Sequence, residues 1–169
     1  MTTPRAKKSP KNLVIRAHRP GDMGAVIALH GKLYADEFGW DIRFEALVAR
    51  IAADFIDHFD PAKERCWIVE QGGVVMGSAL IVKKSKTVAK LRLLILHPKL
   101  RGLGLGKRLN DECEAFAKAA GYEKIALWTN DVLLAARAIY AASGYRLVAQ
   151  EPHHSFGVDL IGETWEKRL

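Results

Sequence analysis

The chain has 169 residues, 49% of them hydrophobic, and a formal net charge of +7. This length supports one domain with a substantial core and is short for two. No apolar stretch reaches a membrane span, no signal-peptide core opens the sequence, and Cys66 and Cys113 fit neither a CxxC nor a zinc spacing. The expectation is therefore a cytoplasmic protein with two reduced, packed thiols and no metal.

Residues 1–12, MTTPRAKKSPKN, hold Arg5, Lys7, Lys8 and Lys11, two prolines and no acid. They read as a disordered basic tail, ahead of a single domain over residues 13–169. Without those four cations the net charge drops to an ordinary +3. No helix-turn-helix, zinc-finger or aromatic RNA-binding signature accompanies the tail, so nucleic acid is not an expected partner.

Leu13-Val14-Ile15 begins a short strand ending near His18, and Arg19-Pro20-Gly21-Asp22 reads as a turn and helix cap. Met23, Val26, Ile27, Leu33 and Tyr34 suit a helix, interrupted over Ala35–Trp40. Phe44, Leu47, Val48, Ile51, Phe55 and Ile56 recur at three- and four-residue spacing, marking a second helix. Strands follow over Arg65–Gln71 and Val74–Lys83, joined by Gly72-Gly73, and then over Thr87–Leu96. Leu105, Leu109, Cys113, Phe116 and Ala120 form one face of a third helix that Gly121 ends. Lys124–Thr129 reads as a buried strand, and Val132, Leu133, Ala136, Ile139 and Tyr140 as the inner face of a fourth helix. Tyr145–Ala149 and Gly162–Lys167 complete an α/β order of β-α-α-β-β-β-α-β-α-β-β.

Residues 88–106, VAKLRLLILHPKLRGLGLG, carry the most information. A strand stops at His97-Pro98, a basic turn follows, and Gly102, Gly104 and Gly106 lead into a helix. Unpaired N–H groups and the helix dipole at such a start favour an anion, and glycines let the backbone approach a phosphate. Arg101, Lys107 and Arg108 add charge nearby, either as phosphate contacts or as solvated cations. The segment is a candidate pyrophosphate cradle. It is not a P-loop, because Arg101 stands where the first glycine belongs and Arg108 where the hydroxyl belongs. It is not the G-x-G-x-x-G dinucleotide fingerprint either, since the spacing is G-x-G-x-G and the strand lies past mid-chain.

Arg101-Gly102-Leu103-Gly104-Leu105-Gly106 does satisfy [RQ]-x-x-G-x-[GA], the acetyl-CoA motif of the GCN5-related N-acetyltransferases (GNAT). Leu94-Ile95-Leu96-His97-Pro98 before it and KIALWTNDVLLAARAIYAASGYRLV after it resemble that family's flanks. The wording LWTN…AARxIY…GY followed by EPHHSFG is most similar to acetyltransferase domains fused behind MarR-type regulators. The resemblance runs from about residue 64 to the C-terminus. It implies the GNAT fold, a mixed and mostly antiparallel sheet with helices on both faces, and acetyl-CoA as co-substrate for an amine acceptor.

Site roles follow from the resemblance. The pantetheine arm would pair with the main chain of Leu94, Ile95 and Leu96, and the pyrophosphate with N–H groups from Gly102 to Lys107. Tyr140 stands where the family keeps a general acid near the sulfur. Leu133 stands where the family usually has an Asn that bonds the pantetheine arm. Asn130 either substitutes for it or caps a loop, and Arg137 reaches either a phosphate or solvent. The fourth strand offers Lys90 and Arg92 in place of the Glu some members use as base. Glu37, with Tyr34 and Trp40, falls where the family builds its acceptor pocket; it either handles the amine or is a solvated acid. His153-His154 is either a hydrogen-bonded turn or a border of the site. The sequence therefore points to direct acetyl transfer to an amine, with an acyl-CoA-binding sensor of little turnover as the alternative. A homodimer through the C-terminal strands is compatible with this reading.

Overall fold

A computed structural model describes residues 10–169, so most of the basic tail expected over residues 1–12 lies outside the described residues. The elements are β1 (Leu13–Ala17), α1 (Asp22–Phe38), α2 (Ile42–Asp57), β2 (Arg65–Gln71), β3 (Val74–Lys83) and β4 (Val88–Leu96). A short 3₁₀ turn (Pro98–Leu100) leads to α3 (Leu105–Ala119), β5 (Lys124–Asn130), α4 (Leu134–Ala142), β6 (Arg146–Ser155) and β7 (Val158–Arg168). This is the order expected from the sequence. Among the described residues, seven strands form one sheet in the order β1-β2-β3-β4-β5-β7-β6. Only β4 and β5 are parallel; the other neighbours are antiparallel.

The two faces bury different residues. Leu105, Leu109, Cys113 and Ala117 of α3 and Tyr140 of α4 pack with Ala89, Leu91, Ile125 and Leu127 on one face. Val26 of α1 and Phe55 of α2 pack with Ile68 and Leu80 on the other. Alternation along β4 explains the division, since successive side chains point to opposite faces: Ala89 and Leu91 join the α3 side, leaving Lys90 and Arg92 on the α1/α2 side. No helix among the described residues is long and apolar enough to cross a membrane.

Three elements differ from expectation. α1 continues past Tyr34 to Phe38 and stops at Gly39, whose left-handed backbone (φ 70°) lets its N–H return to the Ala35 carbonyl at 3.0 Å. β6 and β7 are longer than the sequence signals and meet at a tight turn, with Phe156 (φ 57°) and Gly157 (φ 80°) both left-handed. His153 and His154 are therefore strand residues opposite Leu160 and Asp159, not a turn. Pro152 does not end β6, because β6 is an edge strand and one missing N–H is tolerated there.

Candidate active site

β4 and β5 pair only from Val88 and Lys124 to Leu91 and Leu127, and then part. The cause is local. Leu93 is left-handed (φ 51°), the β3–β4 register slips between Ser78 and Leu80, and the Ser78 hydroxyl donates to the Leu93 carbonyl at 2.7 Å. A bulge of this kind bends its strand. Beyond it, the β5-facing edge of Leu94–Leu96 has no strand partner.

Two cavities open into this split. A cleft of about 400 Å³ runs along Leu94–Leu96 and the glycine loop, walled by Arg101, Gly102, Gly104, Leu105, Gly106, Lys107 and the start of α4. A second cavity of about 340 Å³ lies between α1, α2 and the sheet. Tyr34, Leu94, Leu133 and Ala136 line both and mark where they meet.

The glycine-loop cleft is built for an anion. Gly104 precedes α3 with φ 77° and no side chain caps the helix, so the first N–H groups of α3 lack protein partners. Gly106 serves packing instead, since a Cβ there would stand 2.7 Å from Ile139 Cδ1 on α4. Every nearby cation has a carboxylate partner: Arg101 with Glu37 (2.8 Å), Arg108 with Glu112 (3.2 Å) and Lys107 with Asp111.

The second cavity is aromatic. The Tyr34 ring lies 5.0 Å from Trp40 and 4.6 Å from Phe44, and Trp40 lies 5.1 Å from Phe156. Trp128 lies against Gly162, where a Cβ would come within 2.8 Å of the indole. His30 donates from Nδ1 to the Val26 carbonyl (2.8 Å), which leaves Nε2 as the unprotonated nitrogen. Burial pulls its pKa down to about 4. Tyr140 is 5% exposed and reaches this cavity from α4. Burial, then the neighbouring Tyr34 and Cys113, push its pKa up. Burial, reinforced by Glu37, pushes Tyr34 up to about 12.

The sequence-predicted residues thus divide. Leu94, Ile95, Leu96, Arg101, Gly102, Gly104, Leu105, Gly106 and Lys107 share the cleft, and Tyr140 stands behind its junction with the aromatic cavity. Leu103 turns to the core, and Arg108 lies outside the cleft wall. Asn130 is buried in the aromatic cavity's wall, where its Oδ1 accepts the His153 Nε2–H at 2.8 Å. Arg137 does not line the cleft; it is partly exposed, and its Nε donates to the buried Glu163 at 2.9 Å. Glu37, expected beside the acceptor, lines the glycine-loop cleft and holds Arg101, because the longer α1 carries it past the aromatic cavity.

The sequence reading gave no site role to His30, Phe44 or Trp128. The four-residue step from His30 to Tyr34 on one helix was the available signal for the first. Nothing local links Trp128 to the others.

A profile of the Acetyltransferase (GNAT) family matches residues 31–145. A search of curated proteins returned no match. Among solved structures, an acetyltransferase from Streptococcus agalactiae is 18% identical, with a TM-score of 0.78 over 94% of this chain and 99% of that one. The yncA protein from Salmonella typhimurium, solved with its cofactor acetyl-CoA, is 18% identical, with a TM-score of 0.73 over 94% and 95%. A ribosomal-protein-alanine N-acetyltransferase from Brucella melitensis is 16% identical, with a TM-score of 0.72 over 92% and 99%. With the fold, the split sheet and the glycine loop in agreement with a profile covering most of its length, the chain belongs to the acetyltransferase (GNAT) family.

Proposed function

We propose that the protein acetylates a primary amine by direct transfer from acetyl-CoA, with residues 13–169 as one catalytic domain. One observation carries the reading: the cleft and the aromatic cavity meet at the β4–β5 split, and Tyr140 lines the aromatic cavity there. Acetyl-CoA supplies the activated acetyl group as a thioester. The unpaired edge of Leu94–Leu96 would hold the pantetheine arm through main-chain bonds. The N–H groups from Gly102 to Lys107 would hold the pyrophosphate, with Arg101 and Lys107 at the rim and Arg108 outside the cleft wall.

The amine would approach from the aromatic cavity, and holding it against the thioester supplies a large part of the rate. Tyr140 would donate a hydrogen bond to the departing sulfur. Neither cysteine lines either cavity, and burial pushes both thiols up, so direct transfer is favoured over an acetylated enzyme. No carboxylate lines the aromatic cavity among the described residues, and burial holds the pKa of the lining His30 near 4, so the amine proton would leave to solvent.

Calorimetric titration with acetyl-CoA tests the cofactor half. Gly104→Asp places a carboxylate at the mouth of α3; a Cβ there meets nothing within 4 Å, but the left-handed φ of 77° adds strain, so circular dichroism must first confirm that the variant folds. Affinity should fall on the order of 100-fold through like-charge repulsion. No binding by the folded wild type would defeat the proposal.

A further inference from the structure

The aromatic cavity is lined by two partly buried cations that make no ion pair among the described residues. Lys90 and Arg92 line it from alternate positions of β4, both partly buried. Four comparable cations elsewhere sit on a carboxylate, Arg16 on Asp22, Lys124 on Glu166, Arg137 on Glu163 and Lys167 on Glu114, while Lys63 donates to the Ala120 carbonyl. Lys90 and Arg92 make no ion pair among the described residues. The charges that act on Lys90 are Arg92 and Lys84, both cations, and on Arg92 the one favourable charge is Asp54. Burial lowers the pKa of both groups, the response of a charge short of solvent and of a counterion.

The strand also sets their distance from the reacting centre. Leu94 marks the junction of the two cavities. Arg92 lies two residues and Lys90 four residues before it on β4, with the Leu93 bulge between them and the junction. Arg92 is thus the cation nearer the junction along the strand. An anionic group held there would leave an amine near the junction only on a short arm. The rest of the wall, Tyr34, Trp40, Phe44 and Trp128, suits an apolar or aromatic body.

Resting on the acetyltransferase reading above, we propose that the acceptor is a carboxylate-bearing amine with an apolar or aromatic body, the chemistry of a small α-amino acid, and that Arg92 and Lys90 seat its carboxylate. The Arg92 guanidinium presents the planar fork that matches a carboxylate. The amine nitrogen bonds to the thioester carbonyl carbon, the C–S bond breaks, and one amine proton goes to solvent. The departing thiolate keeps the Tyr140 hydrogen bond and takes its proton from solvent. A lysine side chain or polyamine fails this site, because it adds a positive charge to two unpaired ones.

The test compares thiol release from acetyl-CoA with L-phenylalanine against phenethylamine, L-leucine against isoamylamine, and Nα-acetyl-lysine amide. The amino acids should exceed their decarboxylated partners by at least about tenfold in kcat/KM. Lys90→Met and Arg92→Met should each raise the amino-acid KM about tenfold while leaving acetyl-CoA affinity unchanged. Independently, N-acetyl-L-phenylalanine should quench wild-type tryptophan fluorescence at lower concentration than N-acetylphenethylamine, since Trp40 and Trp128 line the cavity. Equal or better use of the decarboxylated amines or the lysine amide overturns the assignment. So does finding neither turnover of the amino acids nor binding of N-acetyl-L-phenylalanine by protein that binds acetyl-CoA. Failure to bind acetyl-CoA would instead strike the underlying acetyltransferase reading, and this inference with it.

Discussion

Tyr140 shows how one buried hydroxyl can serve both packing and chemistry. Its ring lies 5.6 Å from Tyr145 in the core, while its residue lines the aromatic cavity. Burial raises its pKa further above that of a thiol, whose reference value is near 8.5. Under the proposed reading, the phenol would therefore stay protonated while the sulfur departs and would stabilise it chiefly as a hydrogen-bond donor. Tyr140→Phe keeps the ring and should fold. It should lower kcat about 100-fold with acetyl-CoA affinity unchanged within about twofold by calorimetry, because the expected cofactor contacts are main-chain groups elsewhere. The sequence pointed to this tyrosine through its spacing to Gly144-Tyr145. It did not show that Tyr34, one helix away, stands close enough to raise its pKa.

At the scale of elements, the site depends on where α4 is anchored. Arg137 ties α4 to β7 through Glu163, which is fully buried and also accepts from Trp165 Nε1 (3.0 Å) and Gln150 Nε2 (3.1 Å). Arg137→Met would leave that carboxylate buried with two neutral donors. We expect a loss of about 2 kcal/mol in urea unfolding, while Arg137→Lys, keeping the charge, should lose less. If Arg137 instead bound phosphate, Met would weaken acetyl-CoA binding and leave stability intact. Helix periodicity identified α4, but the choice between phosphate and Glu163 was not local. It depends on β7, whose partner residue lies 26 positions away.

At the scale of the molecule, His30 couples the fold to pH. Its ring is 2% exposed and its folded pKa is near 4, against about 6.5 when unfolded. Between those values the unfolded chain binds a proton that the folded protein does not, so stability falls as pH drops from about 6.5 to 4. The full effect is on the order of 3 kcal/mol. Urea unfolding at pH 7.5, 6 and 5 should show this slope, and His30→Met should flatten it relative to wild type. Equal slopes in both proteins would mean that His30 does not carry the effect.

The sequence by itself determined the element order and the glycine turn that precedes α3. These rest on short-range physics: helical and strand periodicity, left-handed glycines and an uncapped helix start all lie within a few residues of one another. Only the tertiary structure decided the aromatic cavity proposed for the acceptor. It is assembled from α1, α2, β4, β5 and α4, so no single window of sequence contains it. Glu37 moved to the cofactor side because α1 runs one turn further than its apolar spacing indicated, and Asn130 faces His153 because β6 continues past Pro152. Lys90 and Arg92 were legible as charges on a strand. That both enter one cavity without a carboxylate follows from how β4 packs between two layers and bends at Leu93, which long-range pairing fixes.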